Sequence, residues 1–206
     1  MRDPGFRHAQ RDNLYAPHMA PINELIDRLA GGNRGWLPHI APVHGGMNAR
    51  LLWVLRDPGP AVQDPERPGA GFLCVENDDP TARRLCDLLD HAGVEVGDTL
   101  PWNAYPWYIN RAPTVSELRA GTAPLKSLIE ALPALEVVLL LGRHAERSWQ
   151  LLTASHPELT EIPHVLSTRH PGRQAFIGTE EQREVWRREQ QETFDRAGAL
   201  LSVGGI

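Results

Sequence analysis

Three polar residues stand where apolar runs give out. Asp57 follows Leu51-Leu52-Trp53-Val54-Leu55 and is held between Arg56 and the stiff Pro58-Gly59-Pro60. Asn103 ends the strand-like start of the aromatic stretch Thr99 to Ile109, and His170 follows Val165-Leu166-Ser167-Thr168 and precedes Pro171-Gly172. In open α/β sheets, ligands bind at the carboxyl ends of the strands, so a carboxylate, an amide and an imidazole delivered to that edge form a candidate site. Each also has an ordinary structural explanation: a turn aspartate capping the next segment, a strand-ending amide bonded to local backbone, and a satisfied surface histidine among nine. The set suits many hydrolases and singles out none.

The surrounding pattern supplies the elements that would deliver these residues. Leu51 to Leu55 and Val137 to Leu141 are continuously apolar, as strands covered on both faces are, while Pro58-Gly59-Pro60 and Gly142 stop them. Asp79-Pro80 places a capping acid before a proline at the first helical position, and Leu85, Leu88 and Leu89 recur at helical spacing up to Gly93. Further helices are expected over Ile22 to Ala30, Ser116 to Leu132, Arg143 to Thr153 and Glu180 to Leu201. Residues 1–20 mix charge, Pro and His without periodicity and read as an irregular arm; Ala61 to Gly71 reads as a surface loop near Asp57. Strands alternating with helices predict one α/β domain over residues 21–206, with a parallel sheet between helical layers.

Composition narrows the function classes. The chain has 206 residues, 41% hydrophobic, and no apolar run long enough to span a bilayer or act as a signal peptide, which predicts a cytoplasmic protein with no membrane partner. Cys74 and Cys86 are too few for an iron–sulfur cluster or a cysteine zinc site and are expected to be buried thiols. Asn77-Asp78-Asp79 is expected to cap a helix rather than hold a metal, so no metal and no cofactor are predicted. The net charge of -5 weighs against a broad electrostatic footprint on nucleic acid, although a local basic patch can coexist with it. Lys126 is the only lysine.

Taken in order, the motifs resemble those of the uracil-DNA glycosylase superfamily. Leu55-Arg56-Asp57-Pro58 resembles its acid-and-proline first motif, and Gly71-Phe72 its glycine-phenylalanine segment. Trp102-Asn103-Ala104 is similar to its base-reading asparagine, Leu141-Gly142 with Ala145 to its strand-glycine-helix signature, and His170-Pro171-Gly172 to its final histidine-proline-serine motif. The resemblance covers roughly residue 35 to the C-terminus. It implies a three-layer α/β/α sandwich around a short, mainly parallel central sheet, and a monomeric enzyme that acts on DNA by flipping a nucleotide out and cleaving its glycosidic bond. Asp57 would hold the attacking water and stabilise the sugar cation, and His170 would donate to the base O2 as charge gathers there. Asn103 would read the base edge and Phe72 would stack on the base. Arg173 and Gln174 would sit where a side chain wedges into the duplex, with Arg56, Arg111 and Arg169 on phosphates. Trp102, Tyr105, Trp107 and Tyr108 are candidates for the pocket wall or for stacking on DNA, with core packing the ordinary alternative.

One position departs from the strict uracil pattern. There, a tyrosine two residues after the catalytic acid rejects thymine; here the residue is Gly59, which leaves that wall open unless Tyr105 or Trp107 replaces it. The expected substrate is therefore uracil or a pyrimidine enlarged at C5, such as hydroxymethylated or glucosylated cytosine in phage DNA, with repair or antiviral defence as the corresponding role. A catalytically silent nucleic-acid-binding module and a nucleoside hydrolase remain alternatives.

Overall fold

The computed structural model describes residues 1–30, 32, 34–63, 71–162 and 164–203. Its centre is a four-stranded, fully parallel sheet. The strands are β2 (Leu51–Leu55), β4 (Thr99–Asn103), β5 (Val137–Leu141) and β6 (His164–Thr168), in the order β4-β2-β5-β6. Two shorter strands, β1 (His39–Ile40) and β3 (Phe72–Leu73), form a separate parallel pair. The helices are α1 (Pro4–Asp12), α2 (Ala20–Ala30), α3 (Pro60–Gln63), α4 (Pro80–His91), α5 (Val115–Glu130), α6 (Arg143–Ser155) and α7 (Glu180–Val203).

Side chains alternate along each strand, so the continuous apolar runs feed two cores. Leu52, Val54, Leu100, Trp102, Val138 and Leu140 pack with α2, α5 and α6 on one face. Leu51, Trp53, Val137, Leu139, Leu141 and Leu166 pack with α4 and α7 on the other. The result is the three-layer α/β/α architecture that the sequence predicts. Asp79 caps α4 as expected, its Oδ1 accepting from the backbone N–H groups of Thr81 (2.9 Å) and Ala82 (3.0 Å).

The N-terminal region differs from the irregular arm expected over residues 1–20. Residues 4–12 form α1, started by Asp3, whose Oδ1 accepts from Phe6 N–H (2.6 Å), with Pro4 at the first turn. Met1 is buried beside Ala41, Phe72 and Cys74, and its amine donates to Glu76 O (2.7 Å). A capping aspartate and local docking supply the stability that apolar periodicity does not. Of the loop expected over residues 61–71, residues 64–70 lie outside the described ones, and Pro60–Gln63 forms the short α3. Cys74 is a buried free thiol as expected, whereas Cys86 is only half-buried.

His44 ties the start of β4 to the segment after β3. The Thr99 hydroxyl donates to Val96 O (2.6 Å), so His44 Nδ1–H donates to Thr99 Oγ1 (3.0 Å) while Nε2 accepts from Val75 N–H (3.3 Å). Burial pushes this imidazole down to about 3. The folded chain thus keeps His44 neutral where the unfolded chain takes up a proton, so stability falls as pH drops below the unfolded value near 6.5. His170 acts in the same sense. The unfolding free energy from urea titrations is expected to fall between pH 6.5 and 5, with a limiting slope of about 1.4 kcal/mol per pH unit for each such histidine. A flat profile over that range would contradict the neutral, buried state.

Candidate active site

The central sheet delivers the three sequence candidates to one edge. Leu55 is level with Asn103, and Leu141 with Thr168. The ladder then runs past the strands, with Ala104 N–H on Leu55 O (2.8 Å), Tyr105 N–H on Arg56 O (3.0 Å) and Gly142 N–H on Thr168 O (2.8 Å). Asp57 and His170 each lie two residues beyond a strand end, in segments pinned by these bonds. Together with Asn103 they line a cavity of about 1330 Å³ between the carboxyl edge of the sheet and the start of α4. That volume exceeds the range of about 300–1,000 Å³ typical of small-molecule sites.

The Asp57 side chain is 3% exposed and pairs with the Arg56 Nε. Burial pushes its carboxyl above the ordinary aspartate value, against the opposing pull of the Arg56 guanidinium and smaller contributions from His144 and Arg111. His170 accepts from Gly172 N–H at Nδ1 (2.9 Å), which fixes Nε2 as the protonated nitrogen of the neutral ring. Burial pushes this imidazole down to about 4, with Arg56 and His144 adding to the effect, so at neutral pH it is an uncharged N–H donor. Gly142, at φ 94°, makes room for it: a Cβ there would come within 3.2 Å of the His170 Cβ. Asn103 is 1% exposed, and its Nδ2 is buried without a hydrogen-bond partner among the described residues. A buried orphan donor on a cavity wall is a group waiting for an acceptor.

Several other candidates fall elsewhere. Phe72 does not reach the cavity. The β1–β3 pairing, His39 opposite Phe72, turns its ring into the small cluster with Met1, Ala41 and Cys74, while Leu73 and Cys74 line the cavity instead. Tyr105 belongs to the core on the α5 face and packs on Trp107 with ring centroids 5.2 Å apart; neither replaces the missing wall beside Gly59. Of the four aromatic candidates at 102–108, only Tyr108 is on the lining. Arg111 is held by Glu117 through Nη1–Oε2 (2.8 Å) and Nη2–Oε1 (2.5 Å), which ties it to the capping box of α5 rather than to a phosphate. Gly59 lines the cavity with no positive φ and, among the described residues, nothing within 4 Å of a Cβ placed there.

Arg56, Arg169, Arg173 and Gln174 line the cavity, and Arg169 lies over the Trp186 ring at 4.0 Å. They form a local basic rim despite the acidic total. Sequence reasoning missed Arg143 and His144, which line the cavity from the first turn of α6, and Ile177, which is 79% exposed at its edge. The signal for the first two was Gly142, a strand-ending glycine that starts a helix and so turns the helix's first residues to the sheet edge. Burial lowers the His144 pKa, and the residue is within electrostatic reach of Asp57, Arg56 and His170.

The arrangement offers a desolvated carboxylate, a neutral imidazole donor and an unpaired amide around a space rimmed by arginines. Such a set can hold a water against an electrophilic carbon while stabilising negative charge on a leaving group. Among the described residues no group of three or more His, Cys, Asp or Glu is placed to hold a metal ion, and no helix is long and apolar enough to cross a membrane. Comparison with protein-family models and with curated proteins gives no match for this chain.

Proposed function

We propose that this chain is a monofunctional DNA glycosylase, related to the uracil-DNA glycosylase superfamily, that hydrolyses the glycosidic bond of a flipped-out pyrimidine and leaves an abasic site. The observation that carries the reading is the meeting of Asp57, Asn103 and His170 on one cavity, with the Asn103 Nδ2 unpartnered. Asp57, acting as the carboxylate, holds the attacking water and stabilises the developing sugar cation. His170 donates from Nε2 to the base O2 as negative charge accumulates there. Asn103 pairs with the base edge. The arginines at 56, 143, 169 and 173 favour a polyanionic DNA substrate over a free nucleoside.

The open position at Gly59 favours a pyrimidine enlarged at C5, such as hydroxymethylated or glucosylated cytosine, over uracil. The enzyme then acts as a cytoplasmic monomer without cofactor, in defence against phage DNA; with uracil as substrate the role is repair. The test is chromatographic detection of free base after incubation with duplexes carrying uracil, thymine, 5-hydroxymethylcytosine or its glucosylated form opposite guanine. Release from the C5-enlarged substrates is expected. Release from none of the four contradicts the proposal.

The same site predicts the fate of the product. Strand cleavage by β-elimination generally needs an amine that forms a Schiff base with the abasic sugar. Lys126 lies on α5, pairs with Glu130 and is not on the cavity, and the Met1 amine is bonded to Glu76 O. Base release is expected without strand breakage. A covalent enzyme–DNA adduct trapped by borohydride would contradict it.

A further inference from the structure

The turn before α4 places three polar residues together, and two of them are fully accounted for. Asp79 caps the helix, and Asp78 pairs with Arg2 (2.5 Å). The third, Asn77, donates from Nδ2 to Phe72 O (2.9 Å). A carbonyl oxygen only accepts, so this bond fixes which way the amide faces. It leaves Asn77 Oδ1 buried with no hydrogen-bond partner among the described residues, on a side chain that lines the same cavity as Asp57, Asn103 and His170.

We propose that Asn77 is a specificity-determining residue whose Oδ1 accepts a hydrogen bond from the base, and that the base therefore carries a donor beyond a ring N3–H. The inference rests on the glycosylase reading and narrows its substrate. Uracil and thymine have one donor on their free edges, N3–H, and the Asn103 amide stands at the strand end to meet that edge. A second buried acceptor, on a side chain that lines the cavity, stays unsatisfied with either base. Two pyrimidine types satisfy it: those with a 4-amino group, as in cytosines, and those with a hydroxyl on a C5 substituent. A site with a buried group left unpaired discriminates against the ligand that lacks the partner more strongly than a shape difference does.

The experiment uses duplexes identical except for one base: cytosine, with the amine only; 5-hydroxymethyluracil, with the hydroxyl only; 5-hydroxymethylcytosine, with both; and thymine, with neither. Single-turnover release and equilibrium binding are measured for the wild type and for Asn77→Leu, which matches the side chain in size. The wild type is expected to prefer at least one donor-bearing base over thymine by about tenfold or more. The first two duplexes tell the amine from the hydroxyl. Asn77→Leu is expected to lose that preference while its thymine values stay within about twofold. Should Asn77→Leu melt at a much lower temperature, the wild-type ranking alone decides the inference. No preference over thymine in either rate or binding, or a loss in Asn77→Leu equal for all four bases, overturns it. Preferential binding without release from any duplex would instead retain the Asn77 assignment and overturn the glycosylase reading.

Discussion

Asp57→Ala is expected to lose on the order of 100-fold or more in single-turnover base release, and His170→Ala a comparable factor, with folding and DNA binding largely retained. In the proposed reaction both residues face developing charge, and the Asp57 side chain is 3% exposed, so deleting either removes preorganised stabilisation that reorienting solvent does not match. Folding survives because neither bears the core: Asp57 lies beyond β2, and the partner it leaves behind, Arg56, is 37% exposed and remains hydrated. The pH profile follows from the same groups. His170, at about 4, is already neutral at physiological pH and contributes no alkaline limb. Asp57, with its carboxyl raised by burial, must be ionised, so activity is expected to fall on the acid side as the carboxyl protonates, with the limb displaced above that of an ordinary aspartate. Near wild-type rates in both variants, or an activity that rises on acidification, would remove these residues from the chemistry.

Gly59→Tyr is expected to invert the preference among bases. The position lies two residues beyond Asp57, lines the cavity, has no positive φ and, among the described residues, has no atom within 4 Å of where a Cβ would stand, so the tyrosine enters without the strain of a left-handed backbone. Its ring then occupies the space left for a C5 substituent. Release of hydroxymethylated or glucosylated cytosine is expected to fall by about 10- to 200-fold, while uracil, with only hydrogen at C5, is processed at an unchanged or higher rate. A thermal melt close to wild type accompanies this outcome. A folded variant with the wild-type ranking of uracil, thymine and C5-enlarged cytosines would show that the pocket is bounded elsewhere.

The parts of this architecture legible in the sequence are those set by local rules. Leu51 to Leu55 and Val137 to Leu141 are apolar because both faces of β2 and β5 are covered, and the stop signals after them locate Asp57 and Gly142 at the sheet edge. Asp79-Pro80 specifies the start of α4 through capping chemistry alone. What sequence could not give depends on pairing at a distance. The direction of the Phe72 ring is decided by the two-residue strand β1, too short to show a period, and the same pairing places Leu73 and Cys74 rather than Phe72 on the cavity. Tyr105 is drawn into the α5 face by packing against Trp107. The Arg111–Glu117 pair did have a local signal, Thr114 followed three residues later by Glu117, which marks a capping box and gives the arginine a nearby anionic partner. Asn77 had none, because the bond that turns its amide, from Nδ2 to Phe72 O, exists only once β3 has placed the Phe72 carbonyl.

The most direct measurement is a crystal structure of Asp57→Asn bound to a duplex with a single 5-hydroxymethylcytosine opposite guanine, the substitution slowing release while preserving the shape of the site. The modified nucleotide is expected outside the stack and inside the cavity, with its O2 within hydrogen-bond distance of His170 Nε2, its edge on the Asn103 amide and phosphates against the arginine rim. A duplex with every base still stacked, or DNA seated on a different face of the protein, would contradict the glycosylase assignment.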